Sequence, residues 1–302
     1  MRGIAELVSL HNSARWVEHW STPRGKRILS IVRMTVVSSL RCIPTVDVPI
    51  VGGQSIDRTT DSVATYDLHA IHSIVNTTPV LHVSFTSSDP EDPFPTVLPM
   101  IGTMASYERP SADLNEPLEC YLHGYVSSGI MKQARANPEQ GLPITIAATK
   151  FDGIVLSLTP NSHSYNYRST VLFGYGSLVE DKEEKIWAMS VVTNSVIPDR
   201  WENTRSPPDS AEMASTTILK VKIVNGSGKI RTGGPGDEKK DTEREDVVSK
   251  TYTAVIPAWE VYGEPVRGGD GRVESVPEHV RTFIEQTNQS NEEYAKTASI
   301  PK

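Results

Sequence analysis

The sequence predicts a mainly β domain with peripheral helices, closed as a barrel or stacked as a sandwich. Three observations carry this. Apolar runs of strand length recur along the chain, each bounded by turn residues. Few helical periods stand between them, which argues against a doubly wound sheet. No G-x-G-x-x-G follows a strand, and no repeat at solenoid periods is present.

The elements follow in order. Ordered structure is expected from Tyr66. Leu68, Ile71 and Val75 share one helical face, with Asp67 in the first turn where it favours the helix dipole. Pro79 breaks that helix, and Val80–Phe85 reads as a buried strand. Asp89–Pro93 is a turn. Thr96–Gly102 is a second strand. Pro99 within it donates no hydrogen bond, so the strand is an edge or is interrupted. Leu118–Gly124 is a third strand, and Ser127–Arg135 a helix stopped by Asn137-Pro138. Pro143–Thr149 and Ile154–Leu158 flank Phe151-Asp152-Gly153, which reads as a hairpin turn. Ser169–Leu178 and Ile218–Val224 are further strands. Helices are expected at 180–192, at Ala211–Thr216 and at Val280–Tyr294, with a solvated charged segment at Asp237–Asp246.

Composition narrows the class. The chain has 302 residues and a formal net charge of −7, an acidic balance that argues against a nucleic-acid partner. Cys42 and Cys120 are too few for a disulfide framework, so an intracellular, cytoplasmic setting is the simpler reading. No apolar stretch is long enough to span a bilayer. Residues 1–45 carry seven basic residues against Glu6 and Glu18. Such a start fits a poorly ordered leader, with a mitochondrial transit peptide as the alternative. A short amphipathic stretch lies at Ile28–Val37, and a linker at Pro44–Thr60. The expected organisation is a leader and linker over 1–64, a barrel domain over 65–236 and an extension with a surface helix over 237–302.

Several motifs fail. Gly226-Ser227-Gly228-Lys229-Ile230 lacks the spacing and the hydroxyl of a phosphate-binding P-loop. Gly124–Gly129 lacks the spacing of a nucleophile elbow. The histidines show no zinc spacing.

Three segments remain. In Tyr121–Lys132 a strand ends at Gly124, and Ser127 and Ser128 stand where a helix begins. Free amides, two hydroxyls and Lys132 would cradle a phosphate monoester, although the same serines also fit ordinary capping. In Asn161–Ser169, Arg168 has the fork geometry for phosphate, and Tyr165 or Tyr167 could stack on a planar ring. In Pro95–Met100 the proline leaves backbone groups free for the polar edge of a ligand, or simply protects an edge strand.

Taken together these segments resemble the flavin-nucleotide-binding branch of the pyridoxamine-phosphate-oxidase-like superfamily, which includes nitroimidazole-resistance-type proteins. The resemblance is carried by Thr78–Phe85, Phe94–Met100, Tyr121–Gly124 with Ser127-Ser128, and above all Ser162–Ser169. Val192–Trp201 and Lys229–Pro235 are similar to fungal members. It covers residues 65–300. The lead-in before Tyr66-Asp67 departs from relatives, since Asp57–Ala64 carries only Arg58 as a base. No pyridoxamine-phosphate specificity pattern is evident.

The resemblance implies a split β-barrel that forms a homodimer and binds FMN between subunits. It places Leu98, Pro99 and Met100 along the isoalloxazine edge. It sets His123, Gly124, Ser127, Ser128 and Lys132 near the ribityl phosphate, and Tyr165, Asn166 and Arg168 on the adjoining strand. Arg231–Pro235 would close over the site. The function implied is an FMN-dependent oxidoreductase working between a nicotinamide or small organic donor and a small-molecule acceptor. A non-catalytic flavin binder, or a haem binder on the same barrel, is the alternative. His123 and His163 are the candidates for proton transfer, because imidazole titrates near neutrality.

Overall fold

A computed structural model describes residues 20–21, 27–28, 64–87, 89 and 91–301. The amphipathic stretch, the linker and most of the leader lie outside these residues. The chain divides into two units, Met1–Val46 and Asp47–Lys302. The first holds a short antiparallel pair, β1 (Trp20–Ser21) with β2 (Arg27–Ile28). The second holds every other element.

That unit begins with β3 (Ala64–Thr65) and α1 (Leu68–Asn76). Asp67 proves to be the N-cap of α1, its carboxylate accepting from the Ala70 amide at 2.7 Å. Ile71, Ile74 and Val75 are buried against the sheet. Then come β4 (Leu81–Phe85), β5 (Thr96–Met100), β6 (Gly102–Ala105) and β7 (Glu119–Tyr125), followed by α2 (Gly129–Ala136). Two long strands follow, β8 (Leu142–Leu156) and β9 (Ser164–Leu178). Next are α3 (Lys182–Val196), α4 (Ser210–Ser215) and β10 (Thr216–Arg231). The C-terminal part contains α5 (Lys239–Thr242), α6 (Glu245–Val248), β11 (Ala254–Pro257) and α7 (Glu278–Ala298).

The sheet runs β5-β4-β8-β9-β10-β7-β6, with antiparallel pairing throughout. Its two outermost strands are consecutive in sequence, with Ile101 alone between them. One segment therefore pairs with β4 through its first half and with β7 through its second. The sheet closes on itself as a split barrel. Pro99 sits where this costs nothing: β5 pairs only with β4, so the missing N–H breaks no ladder. The interior holds Leu81, Val83, Leu122, Ile146, Leu172 and Leu219, and α2 adds Ile130 and Met131. Each such side chain contributes roughly 1.5–3 kcal/mol by leaving water. Outside the barrel, α3 lays Ala188 and Val192 over Tyr121, Val179 and Ile218. Among the described residues no helix is long and apolar enough to cross a membrane.

Two expectations are corrected. Phe151-Asp152-Gly153 is not a hairpin turn. β8 runs straight through it, with a bulge between Phe151 and Gly153 in its pairing to β9. The Asp152 carboxylate turns inward to Arg168, and a Cβ on Gly153 would stand 2.9 Å from the Ile256 carbonyl of β11. Second, β9 starts at Ser164 rather than at the expected Ser169, so much of the polar segment Asn161–Ser169 is strand. β11 pairs with β8 at Gly153–Leu156, so the C-terminal segment adds a strand to the same sheet.

Candidate functional site

The corner where β7 meets α2 gathers most of the expected site. β7 ends at Tyr125, and the chain turns through a Ser128 N–H bond to the Tyr125 carbonyl at 2.9 Å. Ser128 is the N-cap of α2 by backbone geometry, yet its side chain makes no capping bond. Its Oγ is buried without a partner. The helix therefore starts with its amides uncapped and a hydroxyl unspent, and both favour an anion. A Cβ on Gly129 would meet nothing within 4 Å, so space lies open there. Ser127 and Lys132 are exposed beside it. Lys132 makes no ion pair among the described residues.

Gly124 joins this corner to β5. A Cβ there would come within 2.5 Å of Met131 Cε and 3.6 Å of Met100 Cε. Only a glycine lets α2 approach the strand so closely. The His123 amide donates to the Ile101 carbonyl at 3.0 Å, which fixes β7 against the junction after Leu98, Pro99 and Met100. Met100 faces the core, Leu98 is half-buried and Pro99 is exposed. The His123 ring lies on the exposed side of β7, and partial desolvation lowers its pKa from 6.5. It is the neutral imidazole that stands there at pH 7.

The remaining expected residues are elsewhere. Tyr125 pairs with Thr216 at the start of β10, whereas Arg168 pairs with Ile230 near its end. Fourteen residues of strand separate those positions, roughly 45 Å at about 3.3 Å per residue. Within one chain Arg168 does not converge with Ser128. Its guanidinium bonds Asp152 through Nε at 3.0 Å and Nη2 at 2.7 Å, and it stacks 3.5 Å above the Tyr294 ring of α7. Asn166 is fully buried and donates to the carbonyls of Gly233 at 3.1 Å and Ala298 at 2.9 Å. Arg231 donates to the Asn166 side-chain oxygen and to the Gly234 carbonyl. The Arg231–Pro235 segment is thus knitted to the end of α7. Tyr165 is exposed, edge-on to Phe151 at 5.5 Å. His163 Nδ1 accepts from the Ser157 amide at 3.0 Å, which leaves the proton of its neutral form on Nε2.

One feature escaped the sequence reading. The outer face of the sheet carries an apolar cleft of 330 Å³ between Pro95, Pro143, Phe173, Tyr175 and Val224. Its signal was the apolar character of Val171, Phe173 and Tyr175 at every second position of β9, opposite an inward row that is itself buried.

A family model described as pyridoxamine 5'-phosphate oxidase matches residues 67–230, more than half of the chain. Among solved structures, the flavocytochrome Anf3 from Azotobacter vinelandii aligns at 24% identity and a TM-score of 0.58, covering 73% of this chain and 92% of its own. The FAD and heme binding protein from Mycobacterium smegmatis aligns at 23% identity and a TM-score of 0.60, covering 74% and 98%. Both are likenesses of fold. Comparison with the curated proteins gives no match.

Proposed function

Because the chain belongs to the pyridoxamine 5'-phosphate oxidase-like family, we propose that it binds FMN at the β7–α2 corner and works as a flavin-dependent oxidoreductase. The finer place we assign it is the flavin-nucleotide-binding branch, with its fungal members. The observation that carries the reading is the buried, unpartnered Ser128 Oγ at the head of an uncapped helix. A phosphate there would accept from Ser127, Ser128 and the first amides of α2, with Lys132 balancing its charge. Leu98, Pro99 and Met100 would border the ring, and His123 would stand near it as a neutral imidazole able to take a proton. Bound flavin would supply the electron transfer, while these residues set its orientation and polarity.

The apolar outer face supports a homodimer. A second copy seated on Phe173 and Tyr175 would cover exposed apolar surface. A nicotinamide or small organic donor would then reach the flavin from the rim.

The test is direct. Purified protein should show flavin absorption, release FMN by mass spectrometry and be reduced by NADH or NADPH in stopped flow. Ser128→Ala should weaken FMN binding about ten-fold, the loss of one hydrogen bond to a charged group. Unchanged affinity in that variant would remove the phosphate from this corner. The second reading is haem, with or without FAD, the two groups named for the Mycobacterium smegmatis protein. It is favoured by the neutral, exposed His123 ring, which makes no hydrogen bond among the described residues. A Soret band lost in His123→Ala would select it.

A further inference from the structure

Across the strands β5-β4-β8-β9-β10, the outer face carries a single histidine among the described residues. His82 on β4 pairs with Pro99 of β5 on one side and with Ala147 of β8 on the other. The same row continues through Val171 of β9 to Ser227 of β10. His82 is exposed, and its neighbours in the row are apolar or small. Phe173 stands in the next outward row on β9, two strands from β4, which is about 10 Å at about 4.8 Å per strand. A stable interface covers roughly 800 Å² of each partner, a patch about 28 Å across. A second copy seated on Phe173 therefore takes His82 out of water as well. The charges on this face decide what that burial costs. β5 turns out Val97 and Pro99, and β8 turns out Thr145, Ala147 and Thr149, so neither puts a titratable group beside His82. β9 adds only tyrosine hydroxyls, and β10 adds only bases, Lys222 and Lys229 with Arg231 at its end. The nearest acids stand on the rims. Asp89, Glu91 and Asp92 lie in the β4–β5 loop past Phe85, more than about 10 Å along the strand from His82. Glu119 lies on β7, past Lys222.

We propose that His82 makes the pairing of two copies depend on pH: the dimer closes over neutral imidazoles and opens as they are protonated. The inference rests on the outer face being the subunit contact. A two-fold interface sets a face against its own copy. Since the strands bring no carboxylate to this face, the partner's strands bring none either. A neutral imidazole is accommodated there, whereas an imidazolium finds bases and no counter-ion. Protons therefore bind the free subunit more readily than the paired one, and falling pH draws the equilibrium toward the monomer. Imidazole changes charge between about pH 5 and 8, so the effect falls within that span.

Sedimentation equilibrium of the full-length protein at about pH 8 and about pH 6 tests this, with circular dichroism to follow the fold at both. The dimer dissociation constant of the wild type should rise about ten-fold between them, as each subunit released takes up a proton. His82→Gln keeps a neutral side chain and should dimerise with one constant at both. His82→Arg is charged throughout and should dimerise weakly even at the higher pH, an arm that does not depend on stability in acid. A wild type that is monomeric at both pH values overturns the dimer and this inference together. A dimer whose constant does not move, or moves as much in His82→Gln, overturns this inference and leaves the dimer standing. Wild-type affinity in His82→Arg does the same.

Discussion

The Arg168 guanidinium is held on two sides, by the Asp152 carboxylate along its edge and by the Tyr294 ring across its face. Asp152 is only 2% exposed. Removing the arginine leaves that carboxylate buried and uncompensated, so Arg168→Ala should lose roughly 3–5 kcal/mol in urea unfolding. FMN affinity of the folded variant should be unchanged. A stable variant that no longer binds FMN would return Arg168 to the phosphate. His72 gives a pH prediction. It is buried, and Nδ1 donates to the Leu114 carbonyl at 2.9 Å. Burial lowers its pKa from 6.5, outweighing the hydrogen bond to Leu114 and the charge of Asp67, which raise it. The unfolded chain then binds this proton more readily than the folded one. The contribution of neutral His72 is therefore complete above about 6.5 and is lost as pH falls below that toward the folded pKa. Melting temperature should fall with acid in this window, and His72→Gln should flatten the fall. An identical slope in the variant would show that other groups set it.

The elements that were legible are those whose signal is local. Alternation and bounding prolines gave β4, β5 and β7, and the contiguous run Tyr121–Lys132 pointed to the β7–α2 corner because strand end, hydroxyls and helix start lie in one stretch. What escaped depends on distant partners. Ser164–Ser169 looks like a loop because Asn166 seems too polar for a strand. Its amide is satisfied by Gly233 and Ala298, which lie 67 and 132 residues away. Arg168 has the chemistry for phosphate, and nothing adjacent announces that Tyr294 will cover it. Asp152-Gly153 carries a turn signature that tertiary contacts override, since Gly153 yields to β11 and Asp152 to β9. Close approach also sets the tolerance of β9. A Cβ on Gly174 would lie 2.4 Å from the Lys222 carbonyl and 2.8 Å from Val221 Cγ1. Gly174→Ala should cost roughly 1–3 kcal/mol through overpacking, read as a lower urea midpoint. A wild-type midpoint would mean that β10 can shift aside.

At the scale of the whole molecule, the apolar outer face is what a second copy would cover. Phe173 is 44% exposed and Tyr175 46% exposed. Phe173→Asp should convert the proposed dimer to a monomer in sedimentation equilibrium and lower flavin occupancy with it. A variant that sediments as the wild type would move the subunit contact elsewhere. The closure of the barrel carries a different consequence. Because only Ile101 separates the stretch paired with β4 from the stretch paired with β7, the cylinder resembles a belt fastened by a single notch. Neither flank can slide by itself, since each step on one side drags the other through the same covalent link. Threading one extra residue into that notch would invert the facing of every side chain on one flank while leaving the other untouched. The phase of the entire wall is set by that one-residue count.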